Sequence, residues 1–153
     1  MANVHVFKQN YRSSGLDMST DLGSEASPPA ADCIETPAYC RARYYDLIRA
    51  VGHVSSCSSG AVVTLAMYEA TDATGGGAQA LSTTAAPNCI DTYTSAAGAS
   101  LDILEAQVRG EGLSSGYAYV GARLTTNDTD GSEVASIFLV QGRARYKQAT
   151  MLN

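Results

Sequence analysis

The chain has 153 residues, of which 45% are apolar and 16% charged, with nine Tyr, no Trp and a net charge of −5. That length supports one domain with its own core and is too short for two. With Lys8 and Lys147 as the only lysines, the acidic balance excludes a nucleic-acid binder built on clustered cations, and no apolar run reaches the roughly 18 residues of a membrane span.

The first forty residues differ in composition from the rest. Met-Ala-Asn-Val-His-Val-Phe has no charged lead followed by an apolar run, so the expectation is synthesis in a cytoplasm without an export signal. A short strand-like piece, Val4 to Lys8, precedes a stretch from Ser13 to Thr36 rich in Ser, Gly, Asp and Pro. Pro28-Pro29 favours extended backbone and offers no N–H to a ladder. Residues 1–40 therefore read as an extended N-terminal arm. It is either a free terminus or an arm that orders on a partner, burying Val4, Val6, Phe7 and Tyr11.

Residues 41–153 read as a β domain. Tyr44 to Val51 and Leu101 to Val108 fit either a helical or a period-two pattern, and their β neighbours and nearby glycines favour strands. Val63, Leu65 and Met67 alternate with Val62, Thr64, Ala66 and Tyr68, which predicts a strand. Thr74-Gly75-Gly76-Gly77 and the tract from Thr83 to Ser100 read as loops. Tyr117 to Leu124 and Val134 to Val140 are two further alternating runs. Between them, Thr126-Asn127-Asp128-Thr129-Asp130-Gly131 is a turn signal that predicts a hairpin. Arg143, Arg145 and Lys147 would share one strand face, as a solvated or salt-bridging edge or, alternatively, as a phosphate contact.

Four constellations resemble chemistry and do not complete it. Gly112-Leu113-Ser114-Ser115-Gly116 has the nucleophile-elbow spacing, but a strand follows it where a helix is required, and His5 and His53 both precede it. Cys33, Cys40, Cys57 and Cys89 include no close pair of the kind that structural zinc sites use, with His53 the only imidazole nearby. These cysteines are disulfide candidates, or else buried free thiols. Asp128-Thr129-Asp130-Gly131 places Thr126 and Ile137 at the first and last positions of a calcium loop, where neither can coordinate. The run Gly75 to Gly77 lacks the Lys-Ser/Thr of a phosphate cradle. The expectation is a protein that is not an enzyme and has no metal or cofactor.

The pattern from Tyr44 onward resembles a β-sandwich family of tailed-bacteriophage virion proteins, the capsid decoration (cement) and minor head proteins. The resemblance is carried by Tyr45-x-Leu47 and by Val62-Val63-Thr64-Leu65-x-Met67-x-Glu69-Ala70-Thr71-Asp72. It continues in Gly77 to Leu81, Leu101-Asp102-Ile103, Tyr117 to Thr125 and Ser132 to Tyr146. It covers about two-thirds of the chain. It implies a mostly β fold, an antiparallel β-sandwich or jelly-roll-like domain, placed on the capsid surface of a virion and made in the host cytoplasm. The implied partners are the major capsid protein and further copies of the chain, a trimer being favoured, with no direct contact to nucleic acid or membrane.

The long Cys-bearing arm departs from the simplest members and suggests clamping of neighbouring subunits, with cross-links within or between chains. Val4, Val6, Phe7, Tyr11, Tyr39, Tyr117 and Tyr119 are the interface candidates. The alternatives are a tail, neck or head-completion role in the same virion, and a carbohydrate-binding β-sandwich module.

Overall fold

The computed structural model describes residues 11–19, 33–36, 38–56, 59–96, 102–127 and 134–144. Alternation decides what each strand buries. In β5 (Val62–Ala70), Val63, Leu65 and Met67 are fully buried, while Val62, Thr64, Ala66 and Tyr68 stay partly exposed. The same period runs through β4 (Tyr45–Ser56), which buries Ile48, Ala50 and Val54. It also runs through β8 (Asp102–Val108), which buries Leu104, Ala106 and Val108. Both segments of ambiguous period are thus strands. Each fully buried Leu or Ile contributes on the order of 1.5–3 kcal/mol of hydrophobic stabilisation.

The remaining strands are β1 (Tyr11–Ser19), β2 (Cys33–Glu35), β3 (Cys40–Arg41), β6 (Gln79–Ala80), β7 (Ile90–Thr94), β9 (Tyr119–Thr126) and β10 (Val134–Ala144). One sheet has the order β1-β10-β4-β8. The other runs β2-β9-β5-β6, with β3 also on β9 and β7 also on β5. Every pairing is antiparallel. The longer strands β1, β4, β8 and β10 lie in the first sheet and β2, β5, β7 and β9 in the second, so the chain passes repeatedly between the sheets. This is the order of a jelly roll. The inward faces of both sheets enclose one core that includes Ile48, Leu65, Leu104, Leu124, Ile137 and Leu139.

Two local expectations are corrected by this topology. The hairpin expected across Thr126 to Gly131 does not form: β9 pairs with β2, β3 and β5, and β10 pairs with β1 and β4. Asn, Asp and Gly signal a chain reversal without choosing the sheet that the returning strand joins. Asn127, at the end of β9, instead accepts the Val62 N–H on its Oδ1 at 2.6 Å, continuing the contact with β5. The tract from Thr83 to Ser100 contains a strand, β7, opposite residues 62–66. Its alternate sets, Ile90, Thr92 and Thr94 against Asp91 and Tyr93, each mix polar and apolar residues, so no period-two pattern stands out from the Ser, Thr and Ala around it.

Of the segment expected as an arm, Tyr11–Ser19 forms β1 and lies antiparallel to β10, with Tyr11 opposite Gly142. Cys33–Glu35 forms β2 and lies beside residues 123–125 of β9. Val4, Val6, Phe7 and the two prolines lie outside the described residues, as do Arg145 and Lys147.

Candidate functional site

The outward face of the second sheet collects arginine and tyrosine. β9 alternates Val120, Ala122 and Leu124 into the core with Tyr119, Gly121 and Arg123 on the other side. In β3, Cys40 faces inward opposite Val120, which leaves Arg41 opposite Tyr119 on the outer face. The chain then turns through a single 3-10 turn, Ala42–Tyr44, anchored by the nearly inaccessible Ala42, whose N–H donates to the Ala118 carbonyl at 3.0 Å. That turn brings exposed Arg43 and half-buried Tyr44 to the same region.

Four cation–π contacts tie the face together. Arg123 lies 4.4 Å from the Tyr68 ring centroid. Arg41 lies 5.7 Å from that of Tyr44 and 5.8 Å from that of Tyr119, and Arg43 lies 4.9 Å from that of Tyr44. Such contacts are favourable by about 0.5–1 kcal/mol at exposed sites. Arg43 also donates to the Tyr44 hydroxyl at 3.0 Å. This hydrogen bond, with the positive charges of Arg43 and Arg41, holds the Tyr44 phenol below its ordinary pKa.

The expected interface residues distribute unevenly. Tyr119 belongs to the arginine–tyrosine face, and half-buried Tyr117 lies just before β9, its N–H on the Ser114 carbonyl. Tyr39 is not surface: it is 5% exposed. Its ring lies over Gly121 and Gly75, where an added Cβ would come within 2.7 and 2.9 Å of it. Gly75 also has φ +85°, a conformation that favours glycine. Tyr11 is placed in β1 by its backbone pairing. Sequence alone does not single out Arg41, Arg43, Tyr44, Tyr68 or Arg123. The available signal is Arg41-x-Arg43-Tyr44 in a chain with two lysines, since arginine is the cation that stacks on aromatic rings.

The cysteines separate into two groups. Cys40 and Cys89 are buried free thiols, and burial pushes the Cys40 pKa up to about 12 and raises that of Cys89. Cys89 donates from Sγ to the Leu81 carbonyl at 3.5 Å. Cys33 is placed by its backbone in β2, and Cys57 lies outside the described residues. His53 stands in β4 opposite Ile103 and Ser136. Among the described residues no group of three His, Cys, Asp or Glu is arranged to hold a metal.

Two further features are formed by other residues than those of the arginine–tyrosine face. In the fragment with elbow spacing, Gly116 has φ +92°, and the Ser114 backbone N–H donates to buried Glu69 at 2.7 Å, as in a tight turn. A polar groove of about 660 Å³ lies beside β8, lined by Asp46, Asn88, Gln107, Arg109 and Glu111 among others.

No family model matches the chain, and no curated protein does. Among solved structures, the chain is similar to the CBM22-1 xylan-binding domain of Paenibacillus barcinonensis Xyn10C. The likeness covers 90% of this chain and 88% of that one, at 11% identity and a TM-score of 0.37.

Proposed function

We propose that the chain acts by contact, as a decoration or linking protein on the head shell of a tailed bacteriophage, with no reaction of its own. The observation that supports this reading is the arginine–tyrosine face of the second sheet. Tyr and Arg are the residue types that dominate protein–protein interfaces, because each combines a large, stiff contact area with polar groups at its rim. Jelly rolls serve in viral capsids and in lectins alike, so the surface must decide between them. A sugar platform needs a bare aromatic face. Here the Tyr68 ring is attended by Arg123, and Tyr44 by two arginines. That occupancy favours a protein partner over a glycan.

The partners in this reading are the major capsid protein and further copies of the chain, a trimer being favoured. Cross-linking, where it occurs, narrows to Cys33 and Cys57, because Cys40 and Cys89 are enclosed in the core.

Sedimentation of the protein from its native source, followed by a non-reducing gel, tests the proposal. Migration with large particles at hundreds of copies supports a decoration protein. A few to a dozen copies per particle would move it to the tail, neck or head-completion apparatus. A small species free of particles would sink the virion reading, and binding on a glycan array would replace it.

A further inference from the structure

The face described above also indicates the chemistry of its partner, an inference that rests on the contact reading. Arg41 and Arg43 approach one Tyr44 ring, with guanidinium carbons 5.7 and 4.9 Å from its centroid. A guanidinium packed against a ring keeps N–H groups on its edge for other acceptors. Arg43 spends one of its N–H groups on the Tyr44 hydroxyl at 3.0 Å and has others left. Neither arginine has a carboxylate within ion-pairing distance among the described residues, whereas Arg49, on the other sheet, has Glu105 at 3.4 Å. The Arg41 Nε is buried and meets no acceptor among the described residues. Two adjacent positive charges with no ion-pair partner among the described residues, in a chain of net charge −5, form a local cationic site on an acidic molecule.

That combination discriminates between anions. A nucleic acid is a long polyanion, and away from this site it meets the repulsion of the acidic chain. A short acidic segment presented by a folded protein engages the site alone. Planar carboxylates also match the N–H fork of a guanidinium, two parallel hydrogen bonds at a time.

We propose that Arg41, Tyr44 and Arg43 form a recognition site for carboxylates on an acidic protein surface, the guanidinium edges holding the carboxylates and the ring fixing the guanidiniums.

The test is calorimetric titration of the full chain with poly-L-glutamate at low and high salt. Arg43→Glu is compared with Arg109→Glu, which changes the net charge equally from an exposed position beside the β8 groove. Wild type and Arg109→Glu are expected to bind at low salt and release at high salt. Arg43→Glu should bind about tenfold or more weakly, the size of losing a charge-assisted contact. Arg43→Gln should shift in the same direction by less, with a thermal melt like that of wild type.

Absence of wild-type binding at low salt, equal loss in Arg43→Glu and Arg109→Glu, or preference for a single-stranded oligonucleotide over poly-L-glutamate would overturn the inference. Co-sedimentation with native-source particles separates the two claims. If Arg43→Glu co-sediments as well as wild type, the acidic partner is wrong and the contact reading stands. If poly-L-glutamate binds as expected and no particle is recovered, the contact reading fails and the carboxylate site stands.

Discussion

Glu69 is 1% exposed near the end of β5, and both of its oxygens accept a hydrogen bond. Oε1 takes one from Gln79 Nε2 and Oε2 one from the Ser114 N–H, each at 2.7 Å. The carboxylate thereby ties β5 to β6 and to the turn before β9. Glu69→Leu keeps the position filled but removes both acceptors, leaving the Ser114 N–H without its partner. We expect it to cost about 1–3 kcal/mol in a urea melt, the penalty of a buried group left unsatisfied. An unchanged midpoint would show that the tie is not a stability determinant.

Asp72 organises the glycine turn. Its carboxylate accepts from Gly76 N–H at 2.9 Å, from Thr74 Oγ1 at 2.7 Å and from Thr74 N–H at 2.8 Å. The Gly76 N–H first, and then the Thr74 donors, hold its pKa below the ordinary value of 3.8. A carboxylate depressed in the folded state stabilises above its unfolded pKa and loses that contribution as pH falls through its folded pKa. Wild type should therefore be more stable than Asp72→Asn at neutral pH, and the gap should close as the pH is lowered past about 3.8. Thermal melts across that range check the sign.

Among the elements, β8 shows how a sheet edge is closed. Its inner side pairs with β4. Two N–H groups are satisfied from the neighbouring segment: Glu105 N–H donates to Asp91 Oδ2 at 2.9 Å, and Gln107 N–H to the Asn88 carbonyl at 2.7 Å. Asp91 uses its other oxygen on the Thr92 N–H at 2.9 Å. One side chain in β7 thus joins the edge of the first sheet to the edge of the second. An unprotected edge is a template for pairing between chains. Asp91→Ala is expected to lose about 0.5–1.5 kcal/mol and to raise the rate of aggregation on heating, read by light scattering against wild type. Equal rates would show that the Asn88 contact protects the edge without Asp91. The β7 strand itself was not legible in sequence, because the partner that makes Ile90–Thr94 a strand is β5, about 24 to 32 residues earlier.

At the scale of the whole molecule, the jelly roll divides the cysteines by environment. Cys40 comes from β3 and Cys89 from the loop before β7, and both end in the core between the sheets. Burial raises both thiol pKa values, so the nucleophilic thiolate is scarce and shielded. Treatment of the native protein with iodoacetamide followed by peptide mapping should leave both unlabelled, and urea should expose them together. Rapid native labelling of either would contradict the packing. The same topology puts β10 at the centre of its sheet, between β1 and β4, although it is the last described strand in the chain. Its contacts with β1 span more than a hundred residues of sequence, a non-local arrangement of the kind that folds slowly.

Alternation in Val62 to Tyr68, Tyr117 to Leu124 and Val134 to Val140 was sufficient by itself to establish a mostly β chain, because a period of two directly reports which side of a strand is buried. The loop character of Thr74 to Gly77 followed equally from residue type, since a positive φ at Gly75 and Gly77 is a local property. Partner choice was not local. Whether the Asn127 to Gly131 reversal made a hairpin or a passage between sheets depended on β5 and β4 competing for β9 and β10. Tyr39 looked like surface until Gly75 and Gly121, far apart in sequence, came together beneath its ring. The arginine–tyrosine face likewise exists only in three dimensions: Arg41 meets Tyr119, and Arg123 meets Tyr68, across strands separated by tens of residues. A strand's sequence encodes its own two faces, whereas a site made of several strands is decided by register, and register is set by the packing of the whole sandwich.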